Sequence, residues 1–168
     1  MVGMIATLFF GAFVTNVAIA FAPHEPLVIW FGKELGIVPT AIVATLGTVF
    51  ACWIDRRFLF PLILRKHIRP ERGLMAKMFA AFDRAPFSIL ALSGLTPLPF
   101  WPFKVLAVTS AYPTSKFLAA VAAGRLPRYL LLAWCGHAVP FPPWALPVLC
   151  IALTAWAIIV HFGSRSAP

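Results

Sequence analysis

Residues 35–54 read LGIVPTAIVATLGTVFACWI and contain no Asp, Glu, Lys, Arg or His. A helix needs about 20 such residues to cross the hydrocarbon core of a bilayer. Residues 1–22, 85–103 and 138–160 are also free of ionisable side chains, and a few basic residues interrupt a further apolar region at 105–139. The pattern predicts an all-α integral membrane protein, a polytopic helical bundle in which 105–139 is either one bent span or two short ones.

The composition agrees with a membrane protein. Of the 168 residues, 61% are hydrophobic and 11% are charged, with a mean hydropathy of +0.91, whereas a soluble domain carries about 25% charged residues. The three cysteines stand apart in apolar sequence without a C-x-x-C pair. We therefore expect neither a metal site nor a cofactor.

The basic residues are concentrated in one linker. The chain has 14 Lys and Arg against five Asp and Glu, a net charge of +9, and the segment from Asp55 to Arg84 alone contains eight basic and three acidic residues. Because cytoplasmic loops are rich in Lys and Arg, we place this linker in the cytoplasm, in contact with anionic lipids and not with nucleic acid. Apolar residues recur at helical spacing between Leu74 and Phe82, which is typical of a helix on the membrane surface or of a solvated helix.

A single transmembrane domain, 1–168, accounts for the whole chain. We divide it into a first half at 1–54, the basic linker at 55–86, a second half at 87–140 and a C-terminal transmembrane helix at 142–162. The first stretch ends in Ala20-Phe21-Ala22, which resembles a signal peptidase site, but it lacks a positive n-region. We therefore expect this stretch to be retained.

The two halves share a pattern of prolines. A shift of 74 residues places Pro23 on Pro97 and Pro39-Thr40 on Pro113-Thr114. Each half has a proline-rich break that cannot continue an α-helix, and such backbone inside a bilayer must be buried or face water. We predict two re-entrant helical hairpins, the alternative being ordinary loops outside the membrane. The predicted hairpin tips contain Pro23, Pro26, Pro97, Pro99 and Pro102.

Several ionisable residues lie next to these apolar segments, where charges are costly and usually functional. Glu25 lies between two prolines at the expected start of a helix, so its carboxylate either caps that helix or exchanges protons during transport. Arg125 and Arg128 flank Pro127, the expected start of another helix, which favours a site for a lipid phosphate. Lys104 follows a proline in the same way.

Most of these polar and charged residues have a structural interpretation as well as a functional one. Asp55 adjoins Arg56-Arg57 and is either half of an interfacial ion pair or a second proton-exchanging group. The basic residues proposed to bind phosphate could instead extend to the interface. His24 and His137 are either protonation sites or hydrogen-bonding anchors. We expect Asn16, inside the first apolar stretch, to hydrogen-bond across helices.

Two motifs resemble a known family. The runs TPLPFWPFK (residues 96–104) and GRLPRY (residues 124–129), with Phe117 between them, resemble the VTT domain of the DedA superfamily, also called the SNARE-associated Golgi protein family. The runs PHEP (residues 23–26) and LGT (residues 46–48), followed by Asp55 and Arg57, are similar to its first half. The likeness covers residues 20–140. Where the family usually has a further glycine and a Gly-Arg pair, this chain has Ala51 and Arg56-Arg57.

The resemblance implies two inverted re-entrant hairpins that meet in the membrane, and a protein that moves phospholipids or polyprenyl-phosphate carriers between leaflets. Bacterial members of this superfamily are linked to the proton-motive force, so the resemblance also implies a location in a bacterial inner membrane. We therefore expect a lipid flippase or scramblase. In it Arg125, Arg128 and Lys104 hold the phosphate while Glu25 and Asp55 exchange protons.

Other classes of function have less support in the sequence. Motifs of serine hydrolases, zinc proteases and phosphate-binding loops do not occur, so we expect no enzyme and no catalytic residues. The alternative is a non-catalytic factor for membrane-protein assembly or envelope integrity. An intramembrane lipid-phosphate enzyme around Arg125, Arg128 and His137 is a weaker alternative, because no nucleophile is identified. The expected partners are the bilayer and a lipid head group, and a homo-oligomer is compatible with the sequence.

Overall fold

The computed structural model describes residues 1–17, 24–63, 80–96 and 100–139, together with Val148. Regular structure in these residues is helical, with no strand among them, which confirms the predicted all-α class for this part of the chain. A π-helical turn, Asp55–Leu59, follows the third helix, and residues 80–84 are also helical. The helices are α1 (Val2–Asn16), α2 (Glu25–Glu34), α3 (Ile37–Ile54), α4 (Phe60–Ile63), α5 (Pro86–Leu95), α6 (Trp101–Thr109) and α7 (Thr114–Ala138).

The same order of elements occurs twice. In each half a first helix (α1 or α5) is followed by a break, a short helix (α2 or α6) and a long helix (α3 or α7). Pro26 and Pro102 lie in the first turns of α2 and α6, where the missing N–H has no helical partner to lose. The turns before the long helices contain Gly36 at φ +87° and Ala111 at φ +52°. This left-handed backbone costs alanine more than glycine.

Helix α7 is where sequence expectation and structure differ. It is continuous from Thr114 to Ala138 and contains Pro127 in its interior, so the expectation that a helix begins at Pro127 is wrong. A proline inside a helix removes one backbone hydrogen bond and disfavours the turn before it. Contacts of α7 with α2, α3 and α5 hold the helix together across this position. Region 105–139 is therefore neither one bent span nor two short spans separated at Pro127: it contains the end of α6 and, after a turn, the whole of α7.

Close helix contacts depend on small residues, as in membrane bundles. Helix α7 packs on α2, α3 and α5, and α3 also packs on α1. A Cβ atom at Gly124 would collide with the backbone of Ala91 on α5, and one at Gly136 would collide with the backbone of Ile29 on α2. These close approaches bring the backbones of both halves against α7, and Arg125 and Tyr129 of α7 are buried between them.

Two helical segments, Ile37–Leu59 and Thr114–Ala138, are long and apolar enough to cross a membrane by length and composition. The uncharged stretches 1–22 and 85–103 contain the shorter helices α1 and α5. Helical structure also continues from Ile54 through the π-helical turn into α4, within the basic linker. These features agree with a membrane location.

Several predicted features lie outside the described residues. They are Pro23, Pro97 and Pro99 of the hairpin tips, the segment 74–79 of the amphipathic pattern, the Ala20-Phe21-Ala22 run, and the C-terminal helix at 142–162 apart from Val148.

Candidate functional site

The charged residues singled out in the sequence come together around α7. Aromatic and ionic contacts link them: the Phe100 ring centroid lies 5.9 Å from Lys104 Nζ and 5.2 Å from Arg125 Cζ. Glu25 and Asp55 pair with cations of the same group. We name this group the central charge cluster; it consists of Glu25, Asp55, Lys104, Arg125 and Arg128.

A fully buried ion pair joins the two halves. Lys104 Nζ on α6 lies 2.8 Å from Asp55 Oδ2, and the two side chains are 3% and 0% exposed. The ammonium also donates to the carbonyl oxygen of Asn16 at 2.6 Å. Asn16 ends α1, and carbonyls at a helix C-terminus have no partner within the helix. Asp55 therefore lies inside the bundle, and not at the surface that an interfacial ion pair would require.

A second ion pair is partly exposed. Arg128 Nη2 on α7 lies 2.7 Å from Glu25 Oε1 at the start of α2, with side chains 15% and 24% exposed. The same guanidinium donates through Nη1 to the carbonyl oxygen of Thr96 at 2.7 Å. Thr96 follows α5 at the second break, and Glu25 follows the first break. Arg128 thus brings together residues that flank the two breaks.

Arg125 differs from the other two cations. Its side chain is buried, with the residue 5% exposed. The guanidinium lies over the rings of Phe100 and Tyr129, with centroid distances of 5.2 and 6.0 Å. Within the described part of the chain Arg125 has no ion pair, and its Nε has no hydrogen-bond partner. Cation–π contacts replace only part of the hydration that the Arg125 guanidinium loses on burial. An anion or a hydrogen-bond acceptor placed beside this guanidinium would therefore be stabilised.

Burial and charge balance define what this site can do. Three cations and two carboxylates in the central charge cluster leave one positive charge. The proposed extension of the basic side chains to an interface does not fit Arg125 or Lys104, since both are buried. A monovalent anion beside Arg125 would neutralise the cluster, and a guanidinium can bind two oxygens of one phosphate. The geometry therefore favours an anion site at Arg125.

A chain of buried hydrogen bonds lies beside the cluster. Tyr129 Oη lies 2.5 Å from His24 Nε2 and 2.9 Å from Thr48 Oγ1, joining α7 to the start of α2 and to α3. Asn16 Nδ2 lies 3.4 Å from His24 Nδ1, which confirms the expectation that Asn16 bonds across helices. His24 is thus a buried hydrogen-bonding residue that links three helices.

Sequence reasoning gave Tyr129 and Thr48 no role of their own. One signal was available: Tyr129 lies four residues after Arg125, so the two share a face of a helix. Thr48 is one of three threonines in α3, and nothing in the local sequence indicates which group its hydroxyl bonds. Pro26 and Pro102 lie in the first turns of α2 and α6, and their side chains have no group that could hydrogen-bond to the cluster.

Within the described ranges, no group of three His, Cys, Asp or Glu side chains is placed to hold a metal ion. A scan against protein-family models and searches of curated proteins and of solved structures find no match to this chain. The chemistry of the central charge cluster is therefore the basis on which a function can be assigned.

Proposed function

We propose that this chain is an integral membrane protein that moves phosphate-bearing lipids between leaflets, with the lipid phosphate held at Arg125. The observation that carries the proposal is the buried Arg125 guanidinium, which has no ion pair among the described residues. A phosphodiester carries one negative charge, equal and opposite to the net charge of the central charge cluster. Its oxygens match the paired donors of a guanidinium.

An exposed apolar face supports a location in lipid. Side chains on one side of α3 are large, apolar and exposed. We name this face the α3 stripe; it consists of Val38, Ile42, Leu46, Phe50 and Trp53. From its first to its last residue it extends about 22 Å along the helix. A continuous apolar face of that length is unfavourable in water and favourable against acyl chains.

The site residues differ from the phosphate-binding set expected from the sequence. Lys104 and Arg128 already pair with Asp55 and Glu25, which leaves Arg125 as the cation available to a ligand. In this proposal Lys104 fixes the two halves against each other. Arg128, whose pair is partly exposed, exchanges Glu25 for the lipid phosphate when the lipid enters.

Glu25 is the better candidate for proton exchange. Its side chain is 24% exposed, whereas that of Asp55 is 0% exposed. When Arg128 turns to the phosphate, the Glu25 carboxylate loses its counter-ion. The loss of a nearby positive charge favours the protonated form of the carboxyl group. Proton uptake at Glu25 would thus accompany lipid binding.

The two proline-rich breaks support a re-entrant arrangement. Helices α2 and α6 begin at proline-rich breaks, which is the arrangement of discontinuous helices around transporter sites. We propose that the two breaks are re-entrant hairpin tips, that the fold is of the DedA type, and that the linker at 55–86 faces the cytoplasm of a bacterial inner membrane.

The test is leaflet exchange in liposomes that contain the purified full-length chain. Fluorescent phosphatidylglycerol and a polyprenyl phosphate are assayed with and without a pH gradient. We expect Arg125→Ala to slow exchange at least about tenfold, because each hydrogen bond to a charged group contributes about 1.5–3 kcal/mol. Arg84→Ala, which removes the same charge from an exposed position, serves as the matched control. Glu25→Gln should retain exchange and lose the response to the gradient.

Three results would contradict the proposal. Folded Arg125→Ala with wild-type exchange would remove Arg125 from lipid binding. Wild-type protein without exchange of either lipid would favour the assembly factor. A new lipid species in the liposomes would indicate an enzyme.

A further inference from the structure

A cavity lies at the cytoplasmic end proposed for α3, and none of its lining residues belongs to the central charge cluster. Its volume is about 350 Å³, and it is lined by Trp53, Arg56, Arg57, Pro61 and Thr114. Two of the five lining residues are arginines and none is acidic. Trp53 lies near the end of α3 and both arginines lie in the π-helical turn Asp55–Leu59 that follows it. The cavity thus combines an aromatic wall with two positive charges.

The Arg56 side chain lines this cavity and is held in place by its own hydrogen bonds. Its Nε donates to Thr114 Oγ1 at 2.9 Å and its Nη1 donates to the carbonyl oxygen of Ala107 at 3.2 Å, while Nη2 donates to the carbonyl oxygen of Tyr112. The guanidinium also lies over the Phe117 ring, 5.5 Å from its centroid. These contacts hold the π-helical turn against α6, the turn at Tyr112 and the start of α7. They use three of the five N–H donors of the guanidinium and leave its charge without a carboxylate partner among the described residues.

Arg57 is the group available to a ligand. Its side chain is exposed at the cavity, and in residues 1–17, 24–63, 80–96 and 100–139 it has no ion pair and no hydrogen bond. The cavity also contains Thr114, the first residue of α7, where the helix has its positive end. A hydroxyl, a free guanidinium and a helix N-terminus all favour an oxyanion.

We infer that this cavity binds the phosphate of an anionic lipid head group, in a second site independent of Arg125. The cavity begins at Trp53, which is the last residue of the α3 stripe. A head group in the cavity therefore leaves its acyl chains beside the exposed apolar side chains of α3. Tryptophan is also typical of the depth at which head groups meet acyl chains. This inference requires contact with lipid and does not require transport.

The test is native mass spectrometry of the full-length chain in detergent, titrated with dioctanoyl phosphatidylglycerol. Inorganic phosphate and dioctanoylglycerol are titrated in parallel, and each variant is also made in an Arg125→Ala background so that binding at the central charge cluster is removed. We expect Arg57→Ala to weaken phosphatidylglycerol binding at least about tenfold in both backgrounds. Arg57→Lys should weaken it less, because the charge stays and the paired donors are lost. Arg84→Ala should bind clearly more tightly than Arg57→Ala, because Arg84 does not line the cavity.

Each outcome bears on the inference. Binding of the phospholipid and not of inorganic phosphate, with the dependence on Arg57, supports a lipid site to which the α3 stripe contributes. Equal dependence on Arg57 for inorganic phosphate supports a site for the phosphate group itself. The inference is overturned if Arg57→Ala binds phosphatidylglycerol as tightly as Arg84→Ala. It is also overturned if dioctanoylglycerol, which lacks the phosphate, binds as well as the phospholipid.

Discussion

Replacing Asp55 by asparagine tests how strongly the two halves are joined through the Lys104–Asp55 pair. The substitution keeps the shape of the side chain and removes its charge. The Lys104 ammonium, 3% exposed, would remain inside the bundle beside a neutral amide and the carbonyl oxygen of Asn16 at 2.6 Å. Removing one partner of a buried ion pair costs about 3–5 kcal/mol. Because the new amide still accepts a hydrogen bond, we expect about 3 kcal/mol, roughly a hundredfold in the unfolding equilibrium.

Two comparison variants make the reasoning quantitative. Glu25→Gln breaks a pair whose side chains are 24% and 15% exposed, so solvent screening should limit its cost to about 1 kcal/mol. Lys104→Met added to Asp55→Asn removes the remaining buried ammonium, and we expect the double variant to recover at least about 1 kcal/mol relative to Asp55→Asn alone.

The assay is equilibrium unfolding in detergent micelles with increasing dodecyl sulfate, followed by far-UV circular dichroism. Labelling of Cys52, which is 0% exposed in the folded protein, gives a second readout of the same transition. If Asp55→Asn costs less than Glu25→Gln, or if the double variant is less stable than Asp55→Asn, then burial does not set the strength of these pairs.

Three further substitutions, two of them paired with a control substitution, have clear expected effects on unfolding. Tyr129→Phe removes two buried hydrogen bonds and should lower the free energy of unfolding by about 1–3 kcal/mol. The control is Tyr112→Phe, since the Tyr112 hydroxyl has no hydrogen bond among the described residues; it should cost under about 0.5 kcal/mol. Gly124→Ala forces α5 away from α7 and should cost about 1–3 kcal/mol; Gly94→Ala, with ordinary contact distances, should cost less. Ala111→Gly relieves a positive φ. It should raise the free energy of unfolding by up to about 1 kcal/mol, and with it the melting temperature.

Much of the fold and part of the site can be predicted from this sequence. The apolar stretches predict helices, and the prolines at 26 and 102 mark the first turns of α2 and α6 because proline fits that position. The ionisable residues that matter are recognisable because charges are rare in apolar segments. The prediction at Pro127 was wrong. The local preference of proline favours a helix start at this residue, but contacts of α7 with three neighbouring helices outweigh that preference.

The helical class and the identity of the charged residues follow from side-chain polarity along the chain, so both can be read from the sequence. The pairing of those charges depends on how the helices pack. Glu25 and Arg128 are 103 positions apart and Asp55 and Lys104 are 49 apart, and no local preference connects residues at such distances. Helix packing brings them together, because glycines allow the backbones of α2 and α5 to approach α7 closely. The same packing buries Arg125 without a carboxylate from the described chain, and that is the feature on which the proposed lipid site depends.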